Sequence, residues 1–229
     1  MIDVGRIRGV IFDYGGTIDS NGVHWAEVIW QAYQAENVPV TKDVFRDAYV
    51  HGERTLGNNP IIKPHHTFLD MLRLKIAIQF EYLKSHLLPP AVIADYCYNY
   101  ACSSIARARP VIEWIANNYP LVIVSNFYGN IAAVLKDFQI DRFFPTIIES
   151  AVVGVRKPDL QIFRLGVEAL QLQANEVLVI GDSYDKDIVP ASTVGCQTVW
   201  LRNTGWNESA GNETADLIIS DFVELREWL

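Results

Sequence analysis

The sequence predicts an α/β fold: a parallel sheet with helices on both faces and a helical unit inserted after the first strand. Three observations predict it. From Leu121 onward, short apolar runs alternate with segments of helical periodicity, the pattern of consecutive βα units. The runs are apolar throughout and do not alternate with polar residues, as in strands buried on both faces. The first run, Arg8–Asp13, is separated from the next by more than a hundred residues, far more than a sheet connection needs.

The expected strands are Arg8–Asp13, Leu121–Ser125, Thr146–Glu149, Val177–Gly181, Thr198–Leu201 and Leu217–Ser220. Between and after them lie expected helices near Asn130–Phe138, Leu160–Leu172, Ile188–Val194 and Asp221–Leu229. The inserted stretch, residues 20–106, reads as four helices, which leaves 1–19 and 107–229 as the α/β core. In it, His24–Glu36 places Trp25, Val28, Ile29 and Tyr33 at helical spacing. Thr41 can cap a helix over Phe45, Tyr49 and Val50. His66–Leu83 is a long, strongly apolar helix, and Pro89-Pro90 begins another that carries Ile93, Cys97, Tyr100 and Ile105. Tyr96, Tyr98 and Tyr100 alternate and so cannot share one helical face.

The chain has 229 residues, half of them apolar, with a net charge of −8 and a pI near 5.1. That balance argues against nucleic acid as a partner. No apolar run is long enough for a membrane span, and no basic, then apolar leader opens the chain. Cys97, Cys102 and Cys196 have no metal-binding spacing and read as reduced, packed thiols. The expected compartment is the cytoplasm. Outside an export route, the sequons at Asn207 and Asn212 are only loop residues.

The chemistry gathers where the apolar runs end. Val10-Ile11-Phe12 ends in Asp13-Tyr14-Gly15-Gly16-Thr17, so a carboxylate sits at the mouth of the sheet, beside glycines that let backbone N–H groups approach an anion. Such a carboxylate can be a nucleophile, a metal ligand or both. Leu121–Val124 ends in Ser125-Asn126, whose hydroxyl and backbone can hold phosphoryl oxygens. Lys157 in Gly154-Val155-Arg156-Lys157-Pro158-Asp159 can neutralise developing charge. Val177–Ile180 ends in Gly181-Asp182-Ser183, with Asp187 five residues beyond Asp182, and these carboxylates can complete a site for a hard cation.

Taken in order, these motifs resemble the haloacid dehalogenase-like (HAD) superfamily, from about Arg8 to Leu201. Its pattern is Asp-x-Asp-x-Thr, then Ser or Thr, then Lys, then an acidic pair. Lys157-Pro158-Asp159-x-x-Ile162-Phe163 and Gly181-Asp182-Ser183-x-x-x-Asp187-Ile188 are close to the family wording. The resemblance implies a Rossmann-like parallel-sheet core with an inserted helical cap that opens and closes over the site. It also implies a Mg²⁺-dependent hydrolase that acts on a small phosphorylated metabolite through an aspartyl-phosphate. Asp13, Thr17, Ser125 and Lys157 would be catalytic. Gly16, Asn126 and His24 would contact substrate or phosphate. Asp13, the Gly15 carbonyl, Asp182 and Asp187 would serve the metal.

One departure matters. Where the family's phosphatases carry a second Asp, the general acid and base, this chain has Gly15. General acid–base catalysis contributes about 10²–10⁴-fold, so the resemblance implies slow turnover, a leaving group that needs little help, or a substitute such as His24. It leaves open a homologue that binds a phospho-ligand or a protein without useful turnover. A branch that cleaves carbon–phosphorus bonds has a small residue at the Gly15 position and uses a lid lysine, for which Lys63, Lys75 and Lys84 are available. The dehalogenase branch carries an aromatic residue there, whereas here the tyrosine stands one place earlier.

Overall fold

The computed structural model describes residues 1–84, 88–203 and 214–229, so the sequons at Asn207 and Asn212 lie outside the described residues. Among these residues six strands form one sheet: β1 (Gly9–Phe12), β2 (Leu121–Ser125), β3 (Thr146–Glu149), β4 (Val177–Gly181), β5 (Gln197–Leu201) and β6 (Leu217–Ile219). The spatial order is β3-β2-β1-β4-β5-β6 and every pairing is parallel. The chain builds outward from β1 through β2 to β3, then crosses back to lay β4 on the other side of β1. That reversal opens a crevice at the carboxyl ends of β1, β2 and β4.

The apolar runs become strands because both of their faces are covered. Every residue of β1, β2 and β4 is buried. Successive side chains point to opposite faces. Val10, Phe12, Ile123, Leu178 and Ile180 join the core on the side of the inserted helices. Ile11, Val122, Val124, Val177 and Val179 join Ile162, Phe163 and Ala191 on the other.

The insertion folds as helices α1 (Trp25–Ala35), α2 (Lys42–Asn58), α3 (Phe68–Leu83) and α4 (Pro90–Ala116). Local signals start them. His24 Nδ1 accepts from Ala26 N at the start of α1, and Thr41 caps α2. Thr67 and Asp70 form a reciprocal capping box on α3, so that helix begins two residues after the expected His66. A buried aromatic cluster of Tyr33, Phe45 and Phe80 ties the helices together. Phe68 of α3 reaches the sheet side, edge-on to Tyr14 and against Phe138. Tyr14 is fully buried there, a packing residue behind Asp13.

α4 is 27 residues long and runs past residue 106 into the core without a break. It accommodates Pro110, whose carbonyl accepts from Arg226 Nη2 at 3.0 Å. The rest of the core helices are α5 (Ile131–Asp137), α6 (Ser150–Val153), α7 (Leu160–Leu170), α8 (Val189–Val194) and α9 (Leu225–Trp228). Two differ from expectation. A π-type turn, Tyr184–Ile188, precedes α8, and the expected helix from Asp221 is a 3₁₀ turn followed by the single turn of α9.

Candidate active site

Asp13 follows β1 while its backbone N–H still donates to Ile180 O at 2.9 Å, so the sheet ladder fixes its direction. Three elements converge on its carboxylate. Ser125, the last residue of β2, donates from Oγ to Asp13 Oδ1 at 3.1 Å. Lys157, just before α7, donates from Nζ to the same oxygen at 2.6 Å. Thr17 Oγ1 lies 3.1 Å from Asp13 Oδ2 and 3.2 Å from Asp182 Oδ1, so one hydroxyl proton serves two carboxylates. Asp13, Thr17, Ser125 and Lys157 are all buried.

Lys157 is held at both ends. Its ammonium also donates to Asp187 Oδ1 at 2.6 Å. Its backbone is clasped by the side chain of Asn126, which accepts from Lys157 N at 2.9 Å and donates to Lys157 O at 3.1 Å. Sequence reasoning gave Asn126 only a backbone role, because no spacing rule links residues this far apart. Burial pulls the Lys157 ammonium down, but Asp13 and Asp187 outweigh it and hold the pKa above the ordinary lysine value.

The residues present fit a hard divalent cation. Carboxylate oxygens of Asp13, Asp182 and Asp187 all lie within 4.8 Å of one another. Among the described residues Lys157 is the ammonium that contacts this cluster. Burial pushes Asp182 well above the usual carboxylate range, and the charges of Asp13 and Asp187 add to the shift. A bound cation relieves that repulsion, and an oxygen-only donor set suits Mg²⁺. Asp187 is already engaged, by Lys157 and by the Ser183 N–H at 3.0 Å. Asp185 is exposed and is not one of the three.

Gly15 and Gly16 play opposite parts. An added Cβ at Gly15 meets nothing within 4 Å, so the position faces open space. Gly16 has φ +98°, and a Cβ there would lie 2.5 Å from Asp182 Oδ2, so both conformation and space demand glycine. The Gly16 N–H donates to Asp19 Oδ1 at 2.7 Å. In a trans peptide the carbonyl points opposite to the N–H, so Asp19 turns the Gly15 carbonyl away from itself. Trp25 Nε1 donates to the other Asp19 oxygen at 2.9 Å.

A cavity of about 130 Å³ lies beside these glycines, lined by Asp19, Asn126 and Asp182 from the sheet side, by His24 at the start of α1 and by Glu53 and Lys75 from α2 and α3. Asp19 is fully buried, and desolvation raises its pKa to about 7 despite its two N–H donors. His24 is half-buried, and burial, with Lys186 next, lowers it to about 4. The imidazole is therefore neutral at pH 7, consistent with Nδ1 accepting at the α1 cap. Sequence reasoning brought His24 to this place. It missed Asp19 as a wall of the cavity, and it did not single out Glu53.

Fold and site together define a capped parallel α/β protein of hydrolase type. A family profile for haloacid dehalogenase-like hydrolases matches residues 7–195, and the chain belongs to that family. Among curated relatives, the glyceraldehyde 3-phosphate phosphatase of Methanocaldococcus jannaschii is 35% identical over 59% of this chain and 63% of its own length, so the match spans less than two thirds of that relative. A phosphoglycolate phosphatase of Photorhabdus laumondii is 26% identical over 96% of this chain and 91% of its own. Among solved structures, the magnesium-bound HAD-hydrolase YfnB of Bacillus subtilis superposes with a TM-score of 0.61 at 21% identity, covering 98% of this chain and 99% of that one, which shows the shared fold.

Proposed function

We propose that the chain is a Mg²⁺-dependent phosphatase that acts on a small phosphorylated metabolite through an aspartyl-phosphate on Asp13. One observation carries this reading: a buried carboxylate at the sheet mouth with a lysine ammonium, a serine hydroxyl and a threonine hydroxyl on its two oxygens. The relatives named as phosphatases support the reaction class.

In the proposed reaction Asp13 attacks phosphorus as the ester oxygen leaves, and water then cleaves the acyl-phosphate. Lys157 and Ser125 stabilise the transferring group electrostatically. Asn126 keeps Lys157 in register, and Thr17 orients Asp13 against Asp182. Mg²⁺ would be held by Asp13, the Gly15 carbonyl and Asp182, with Asp187 in support, and supplies charge neutralisation when bound. Residues 20–106 act as the cap that excludes water and reads the leaving group. Among the described residues no helix is long and apolar enough to cross a membrane.

The test is phosphate release from a panel of phosphomonoesters with and without Mg²⁺. Release that needs Mg²⁺ and falls by about a thousandfold or more in Asp13→Asn is the expected result, comparable to removing a principal catalytic group. Mg²⁺-dependent ligand binding without release from any ester would favour the binding-protein alternative.

A further inference from the structure

The cavity has a second polar end. Lys75 of α3 is more than nine-tenths buried, yet it lines the same cavity as Gly15, Asp19 and Asp182. Its Nζ lies 2.6 Å from Glu53 Oε1 on α2 and 5.3 Å from the centre of the Tyr128 ring. Tyr128 in turn donates to Glu53 Oε2 at 2.6 Å. Among the described residues Lys75 has no hydrogen-bonding partner but Glu53, although an ammonium carries three donors. Glu53 Oε1 is buried and lacks a well-directed hydrogen bond. An ion pair fixed between two helices thus presents spare ammonium donors beside a carboxylate with remaining lone pairs.

Resting on the phosphatase reading, we propose that Lys75 and Glu53 form the subsite for a hydroxyl of the leaving group, so that the substrate is a small phosphorylated polyol or sugar. A hydroxyl both accepts and donates, and it satisfies the ammonium and the carboxylate together. A carboxylate could use only the ammonium and would add negative charge to a cavity that already holds Glu53, Asp19 and Asp182. Lys75 is also unsuited to imine chemistry. Burial pulls its ammonium down, but Glu53 and Tyr49 outweigh it and keep the pKa above the ordinary lysine value. It therefore stays protonated and acts as a donor.

Affinities of the Asp13→Asn protein in Mg²⁺, read by calorimetry, test this without turnover. The ligands are glycerol 3-phosphate, propyl phosphate and a three-carbon phosphate ester ending in a carboxylate. The expected order puts glycerol 3-phosphate at least tenfold tighter than either of the others, with that preference falling to within threefold when Lys75→Met or Glu53→Gln is added. Equal binding of all three, or preference for the carboxylate, overturns the proposal, and the ranking in Asp13→Asn alone decides even if a further-substituted protein fails to fold. A hydroxyl preference in binding with no hydrolysis of any ester would leave the subsite standing and remove the phosphatase reading.

Discussion

At the scale of single residues, Gly15 is the position where the chemistry turns. An added Cβ at Gly15 meets nothing within 4 Å, so the first atom of an Asp side chain has room there. If the missing acid limits hydrolysis, this variant gains about tenfold or more in kcat. An unchanged rate would show that another group already moves the proton. Asp19 and His24 make a paired prediction about stability. Asp19 is raised from 3.8 to about 7, so its contribution is complete below pH 4 and lost as pH rises through 7. His24 is lowered from 6.5 to about 4, so its contribution is present above pH 6.5 and lost as pH falls through 4. Relative to wild type, Asp19→Asn should therefore gain stability as pH rises from 4 to 7. His24→Gln should lose it from 4 to 6.5. Urea unfolding across that range checks both signs, and parallel curves for the two variants would refute the assignment. Asp13, Ser125, Lys157 and Asp182 were legible because each stands near the end of an apolar run or beside a helix start. Glu53 and Asp19 were not, since a lone carboxylate on a helix or in a turn carries no local pattern until the tertiary fold brings it to the cavity.

At the scale of elements, strands were read closely because burial on both faces leaves an uninterrupted apolar signal. β3 and β4 match their expected limits to the residue. Helix ends were read less well, since caps decide them. The start of α3 is set by Thr67 and Asp70, and that box stabilises the helix that carries Lys75. Thr67→Ala removes both the cap on Asp70 N and the hydroxyl that donates to the Asp70 carboxylate. The expected loss is about 1 kcal/mol in urea unfolding, with the m-value unchanged. A loss near zero would mean that packing of the apolar face alone fixes α3. The reach of α4 across residue 106 had no sequence signal, because Pro110 argues for an interruption by local rules while the helix runs on to Ala116.

At the scale of the whole molecule, the parallel sheet brings side chains from β1, β2, β4 and the loop before α7 to one rim, and the inserted helices close a small cavity over it. The cost is an acidic cluster, with Asp13 and Asp187 buried and Asp182 half-buried, contacted among the described residues by one ammonium, Lys157. A cation that binds only the folded state should raise stability by about 2.7 kcal/mol at a hundred times its Kd. Thermal unfolding with and without Mg²⁺ should show this shift, and Asp182→Asn should abolish it. Equal shifts in both proteins would place the cation elsewhere.

The claim that Asp13 is the nucleophile is tested most directly by acid quench of the protein during turnover of a ³²P-labelled phosphomonoester, followed by peptide mapping. With no Asp at position 15 to activate the water of the second step, the acyl-phosphate should accumulate when the ester has a leaving group that needs no acid. Label on the peptide that contains Asp13, absent from Asp13→Asn, is the predicted result. Phosphate release with no label on that peptide would contradict the account.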